Sequence, residues 1–428
     1  MRRLTIIYHD AGGGHRSAAN ALKATLTTQK NPWQVTLLDI QELLDSLDLI
    51  RRATGLRIQD TYNLILRKGW TRITPQLLVI LKTTIRVYHR AIVQELRTYW
   101  AQEPADVVLS VIPHFNRAIA ESLRYGGSAT AFVTPFVTLI TDLADYPPHF
   151  WIEKESQYVI VGTDRARDQA LAIGHRPDHI FLTSGMILKP RFYDEIKVDC
   201  MAERKRLGLE PQCPTAIVLF GGHGSHVMVD IAKKLDAADS GVQLILICGH
   251  NQELAAELRN LKTKKPIAVV GFVENVEYYM ALADFFIGKP GPGSISEALQ
   301  LHLPIIVECN SATLPQERYN AEWVTEKGYG VVVPSFQRIA PGVRLLLQNE
   351  NVTRFRRNVG SYSNRALFEV PVILENLLQR SEGRKLIHSD LMPDSNFPVV
   401  SSDPILGDPR LEDLSLKGSR LEVERDSR

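Results

Sequence analysis

Cysteine is scarce and scattered. Cys200, Cys213, Cys248 and Cys309 form no C-x-x-C pair and no His-linked ligand pattern, so the spacing speaks against a zinc site or a disulfide framework and for reduced thiols in a cytosolic protein. Net charge is also nearly absent: 50 basic residues stand against 48 acidic ones, a formal charge of +2, which gives a nucleic-acid partner no support. No apolar run approaches the roughly 18–20 residues of a membrane-crossing helix; the longest, around 129–141, is interrupted by threonines and Pro135. The start, Met1-Arg2-Arg3 and then Leu4 to Tyr8, is too short in its apolar part for a secretory leader. What remains is the composition of a folded protein, 44% hydrophobic and 23% charged over 428 residues, long enough for two domains.

Short apolar runs alternate with helical periodicity along most of the chain. Leu4 to Tyr8, Val35 to Asp39, Val107 to Val111 and Val159 to Gly162 read as strands of one parallel sheet, each followed by a helical stretch. A second series, Ala216–Phe220, Leu244–Cys248, Ile267–Val270, Phe285–Ile287 and Pro304–Val307, follows the Pro211 to Pro214 break. The expectation is α/β: two doubly wound, Rossmann-like domains, 1–190 and 212–345, joined by a linker from about Lys189 to Gln212 and facing each other across a cleft. C-terminal helices over 346–380 and a Ser-, Asp- and Pro-rich disordered tail over 384–428 complete the chain. One insert stands apart: residues 51–100 carry ten basic and two acidic side chains interleaved with Leu, Ile and Trp, the pattern expected of helices resting on an anionic membrane surface or, more simply, of a solvated basic face.

Three glycine turns follow strands and lead into helices: Gly12-Gly13-Gly14-His15, Gly221-Gly222-His223-Gly224-Ser225, and Gly288 to Ser294 with Gly291 and Gly293. Glycine lets backbone N–H groups approach a phosphate, and a helix N-terminus adds its positive end, although such turns often need glycine for geometry alone. None has the spacing of a dinucleotide fingerprint, and Ser294-Ile295 stands where a P-loop needs Lys followed by Ser or Thr. No G-x-S-x-G elbow is present.

Single residues then carry the chemistry. His15, at the mouth of the first turn, can take a proton near neutral pH, as deprotonation of an acceptor hydroxyl requires. Ser294 and Glu297 have the spacing of a helix capping box; alternatively Glu297 accepts the two hydroxyls of a ribose while Ser294, the loop amides and Lys289 hold a diphosphate. Gln316, Glu317 and Asn320, placed on a loop after the Pro304–Val307 strand, have groups that can read sugar hydroxyls or merely make a polar turn. Asp142 and Asp145 are not a D-x-D pair, so metal ligands are not evident and no metal is expected.

Together these segments resemble the monogalactosyldiacylglycerol synthase family, relatives of the glycosyltransferase that makes lipid II. The specific parts are Gly12 to Ala18, Gly288 to Leu299, Leu303-Pro304, Pro315 to Asn320, Thr141-Asp142-Leu143 with Pro148 and Trp151, and Ser184-Gly185 before Pro190 and Phe192. The resemblance implies a GT-B fold, a UDP-sugar donor held by the second domain as co-substrate, no further cofactor, and inversion at the anomeric carbon without a metal. It implies His15 as base, Gly12, Gly13, Gly14 and Asp142 on the acceptor side, and Gly221 to Ser225 facing the diphosphate. Phe272 and Val273 would contact uracil, Glu297 the ribose, Gln316 and Glu317 the donor sugar, and the basic insert an anionic membrane from which a lipid such as diacylglycerol enters. His223, His226 and the tail have no counterpart in it.

The expected activity is transfer of galactose or glucose from a UDP-sugar to a lipid, at the inner face of a membrane. Two other functions fit parts of the pattern: a UDP-N-acetylglucosamine 2-epimerase-like enzyme, which would need no acceptor, and a non-catalytic nucleotide-binding module.

Overall fold

In the computed structural model, residues 2–9, 13–44, 82–124 and 134–390 are described. Gly12, the first part of the basic insert (51–81) and the tail beyond Asp390 lie outside them.

The first sheet is built from β1 (Arg3–Tyr8), β2 (Gln34–Asp39), β3 (Val107–Ser110), β4 (Phe136–Leu139), β5 (Tyr158–Val161) and β6 (Ile180–Leu182), in the order β2-β1-β3-β4-β5-β6. The second contains β7 (Thr215–Leu219), β8 (Gln243–Ile247), β9 (Ile267–Val270), β10 (Phe285–Gly288), β11 (Ile305–Glu308) and β12 (Gly330–Val333), in the order β12-β11-β10-β7-β8-β9. Every pairing is parallel. Central strands such as β3, β7 and β10 are buried along their whole length, which is why they read as continuous apolar runs and not as alternating ones. Two doubly wound α/β domains are therefore present, as expected.

Strand order creates one special position in each sheet. From β1 the chain steps outward to β2 and then returns to place β3 on the other side of β1; in the second sheet β8 and β9 lie on one side of β7 and β10 on the other. At such a switch point neighbouring strand-to-helix connections diverge and leave a crevice at the carboxyl ends. The connections after β1 and β3 border the first crevice, and those after β7 and β10 border the second. The glycine turns singled out in the sequence occupy three of these four connections.

Helices cover both sheets. Among them α1 (Gly14–Thr28), α2 (Ile40–Leu43), α3 (His89–Gln102), α4 (Asn116–Ser122) and α5 (Asp164–Ile173) serve the first. The segment expected as a linker contains α6 (Cys200–Arg206), whose Arg204 is buried and donates to the Leu282 and Pro211 carbonyls and to Asp284, so this stretch is fastened to the second domain. That domain carries α7 (Val227–Ala237), α8 (Gln252–Arg259), α9 (Val276–Ala281), α10 (Pro292–Gln300), α11 (Pro315–Glu326), α12 (Ile339–Leu347) and α13 (Asn349–Gly360).

The last described helix, α14 (Ala366–Asp390), crosses back to the first domain. Its Leu367, Val370, Leu374, Leu377 and Leu378 share a core with Leu4 and Ile6 of β1 and Leu109 of β3, while Ser184 N–H donates to Glu369 and Arg365 N–H to Ser184. The helix also runs past residue 384, where the tail was expected to begin, so 384–390 are helical. Because Leu374 is fully buried against β1, Leu374→Ala is expected to destabilise the first domain by about 2–4 kcal/mol. Urea unfolding checks this; an unchanged midpoint would mean that the helix adds nothing to that core. Near the crossing, a Cβ on Gly185 would lie 2.5 Å from the Tyr362 hydroxyl, so glycine there is a packing requirement.

Candidate functional site

His15 lies in the first turn of α1, not at the strand end, after Gly13 has turned the chain through φ 78°. Its Nδ1 is 2.8 Å from the Val111 carbonyl, just beyond β3, and 3.0 Å from Thr141 Oγ1. A carbonyl can only accept, so Nδ1 carries the hydrogen and Nε2 keeps a lone pair, the tautomer a proton acceptor needs. Burial lowers the imidazole to about 4, against the opposing pull of the Val111 carbonyl. The ring packs 4.4 Å from that of His9 and 5.6 Å from that of Trp151.

Trp151 joins His15 to Asp142: its indole N–H donates to Asp142 Oδ2 at 2.8 Å. Asp142 is buried and its carboxyl is pushed up to about 7, by burial first and then by Glu317 and Asp145, with the Trp151 hydrogen bond acting the other way. Asp145 instead accepts the backbone N–H groups of His149, Phe150 and Trp151, which makes it the organiser of this turn.

On the second domain the Gly221–Ser225 turn rests on the turn after β8. His250 N–H donates to the Gly222 carbonyl at 2.9 Å, and a Cβ on Gly249, at φ 59°, would lie 2.1 Å from Gly222 O. Gly249→Ala is therefore expected to displace this loop and destabilise the second domain by about 1–3 kcal/mol; an unchanged urea midpoint would mean that the loop accommodates the added Cβ. Phe272, 55% exposed, stacks on His250 with centroids 4.0 Å apart and planes at 17°. His223 flanks the same imidazole at 5.9 Å, and His226 pairs with Glu257 at 3.3 Å on the surface. The sequence reading passed over His250; the Gly249-His250 step directly after a strand was the signal available for it.

The turn after β10 ends at Gly291, the N-cap of α10, with Pro292 in the first helical position. The amides of Gly293 and Ser294 thus lie in the open first turn. This placement rules out the capping box, because the helix begins before Ser294 and Glu297 falls in its second turn. The Glu297 carboxylate accepts no hydrogen bond from any described residue; burial pushes it up to about 7, opposed by Lys189 and aided by Glu277.

Gln316, Glu317 and Asn320 stand on α11, not on a loop. Glu317 Oε1 receives Lys289 Nζ at 3.2 Å beside Gly291. Gln316 Oε1 is buried without a partner among the described residues. Asn320 is fully buried and its Nδ2 donates to the Pro290 carbonyl at 2.8 Å, so it fixes the β10 turn. Across the domain boundary Tyr146 and Tyr319 pack at 5.8 Å, with the Arg165 guanidinium over both rings, and Leu143, Ala144 and Met186 enter the core of the second domain. Asp142 of the first domain is thereby within electrostatic reach of Glu317 and Lys289 of the second.

The first domain thus supplies a neutral imidazole and the buried Asp142, and the second two glycine turns, an open helix N-terminus and the Lys289–Glu317 pair, with Asp142 in electrostatic reach of that pair. Among the described residues no group of three or more His, Cys, Asp and Glu side chains has metal-binding geometry. No helix among them is long and apolar enough to cross a membrane.

Comparison with known proteins places the two halves. Residues 15–186 match the family described as monogalactosyldiacylglycerol (MGDG) synthase, and residues 216–352 the glycosyltransferase family 28 C-terminal domain. The chloroplastic monogalactosyldiacylglycerol synthase of Spinacia oleracea is 29% identical over 360 residues, covering 80% of this chain and 65% of that protein; the match thus spans less than two thirds of the relative's own length. The processive diacylglycerol beta-glucosyltransferase of Bacillus subtilis (strain 168) is 26% identical over 282 residues, covering 65% of this chain and 69% of its own. The crystal structure of Acinetobacter baumannii MurG superposes with a TM-score of 0.58 at 12% identity, covering 88% of this chain and all of that one, a likeness of fold.

Proposed function

We propose that this chain, which matches the monogalactosyldiacylglycerol synthase family in its first domain and the glycosyltransferase family 28 C-terminal domain in its second, transfers a hexose from a UDP-sugar to the hydroxyl of a diacylglycerol-type lipid. The observation that carries the reading is that a neutral His15 with Nδ1 held by the Val111 carbonyl stands in the domain whose Asp142 lies in electrostatic reach of Lys289 and Glu317, beside the open N-terminus of α10.

In the reaction, Nε2 of His15 takes the proton of the lipid hydroxyl as its oxygen attacks the anomeric carbon; the bond to the diphosphate breaks, UDP leaves, and the configuration at that carbon inverts. The negative charge gathering on the leaving diphosphate is met by the amides of Gly293 and Ser294 at the start of α10, by the Gly221–Ser225 turn and by Lys289, so that transfer needs no metal. Phe272 with Val273 covers uracil, Glu297 accepts the ribose hydroxyls, and Gln316 with Glu317 holds the sugar. Asp142, Gly13 and Gly14 line the acceptor side.

Relatives bearing both galactosyl- and glucosyltransferase names make the sugar itself the open element. A panel of UDP-galactose, UDP-glucose and UDP-N-acetylglucosamine with diacylglycerol decides it, and a C2-epimerised sugar formed without acceptor would favour the epimerase instead.

The acceptor is delivered from an anionic membrane face, to which the protein binds peripherally from the cytoplasmic side. Supporting this, the described end of the basic insert exposes Arg86, Arg90 and Arg97 together with Val87, which is 72% exposed. Co-sedimentation with phosphatidylglycerol-containing vesicles should be strong at low salt and weaken as salt rises; salt-independent binding would reduce the insert to a solvated surface.

A further inference from the structure

His114 is the second imidazole of the first crevice, and the base role of His15 does not use it. It sits just beyond β3, on the connection facing the β1 turn across the switch point. Its backbone is left-handed at φ 69°, uncommon for a residue with a Cβ. That conformation is held by His114 N–H donating to the Phe150 carbonyl at 2.9 Å, while the ring stands edge-on to Phe150 with centroids 4.3 Å apart. Phe150 is fixed in turn by its own N–H to Asp145. Nε2 of this locked ring is buried and has no partner among the described residues. A strained backbone holding an unsatisfied buried polar atom beside the reacting group is the signature of a ligand contact.

The charge state narrows the ligand. Burial, then the charge of Lys82, then His15 lower His114 to about 3, so it is neutral throughout the working range, with one ring nitrogen carrying a hydrogen it can donate. A diacylglycerol has one hydroxyl, whose proton goes to His15; its other polar atoms are ester oxygens, which only accept.

We infer that His114 reads the lipid acceptor, its Nε2–H donating to an ester carbonyl of the glycerolipid and so placing the free hydroxyl against His15. The inference rests on the diacylglycerol-type acceptor proposed above and adds which atom of it is recognised.

The test compares diacylglycerol with dialkylglycerol, which keeps the hydroxyl and chains but lacks both carbonyls, in identical vesicles with one UDP-sugar. Wild type should lose about tenfold in acceptor kcat/KM on the dialkyl lipid, the worth of one hydrogen bond. His114→Phe should show the same loss on diacylglycerol and none further on dialkylglycerol, His114→Gln should recover part of it through its amide N–H, and calorimetric UDP affinity should be equal in all three. Wild-type transfer to both lipids alike, or a His114→Phe loss of the same size on each, would overturn the carbonyl contact while leaving the lipid acceptor standing. A UDP-binding wild type that transfers to neither lipid would overturn the acceptor reading and this assignment with it.

Discussion

Replacing His15 by alanine is expected to lower kcat about 10³-fold, within the range for loss of a positioned general base, while calorimetric UDP affinity stays unchanged. The separation follows from where the residue stands: on α1 of the first domain, tied through Nδ1 to the Val111 carbonyl, whereas the β7 and β10 turns belong to the second. With the imidazole near 4 in the unliganded protein, its resting form at neutral pH is the neutral one a base requires. That value also marks a weak base, and binding of the proposed donor, whose diphosphate is negative, is expected to raise it toward the working range. In the free enzyme the limb due to His15 should therefore lie near pH 4, with no inflection from this group between 6 and 8. A His15→Ala variant with near wild-type turnover would assign the proton to another group.

Glu297→Gln is expected to weaken UDP binding about 10²-fold, the loss of two hydrogen bonds made to a charged carboxylate. Its carboxyl stands near 7, and accepting two ribose hydroxyls favours the ionised form, so UDP should bind more tightly at pH 8 than at pH 6, and the variant should lose that slope. Stability in the absence of ligand should run the other way. A carboxyl raised on folding holds a proton that the unfolded chain releases from about pH 4 upward. Glu297 and Asp142, both near 7, therefore make the unliganded protein less stable as pH rises from about 4 to 7. Thermal melts of wild type and of Glu297→Gln with Asp142→Asn should show the slope flattened in the double variant. Equal UDP affinity in wild type and Glu297→Gln would sink the ribose assignment.

How far these residues could be found from sequence depended on whether the signal was local. β1, β7 and β10 were legible because a strand buried on both faces must be apolar throughout, and the glycines after them stand out in composition. β4 was hidden inside the apolar stretch around 129–141, and β6, with three residues, is too short to show a period. Strand order is a non-local property, so nothing in the sequence revealed that the glycine turns flank the two switch points. For α14 an apolar face announces that it will be covered but not by what, and the return to β1 was invisible.

Two errors had local signals that were underused. Pro292 and Pro315 each occupy the first helical position, as proline commonly does; weighting them would have started α10 ahead of Ser294 and moved Gln316 and Glu317 onto a helix. The Trp151 bridge between His15 and Asp142, and the unpartnered nitrogen of His114, arise from residues far apart in the chain and required the folded structure.

The most direct test of the account is the product formed from an α-linked UDP-hexose by the purified protein with diacylglycerol vesicles, its anomeric configuration read by NMR. The account predicts UDP release in step with a β-linked hexosyl glycerolipid, and neither product when the lipid is omitted. A retained α-linkage, or a sugar nucleotide epimerised or hydrolysed without any lipid product, would contradict it.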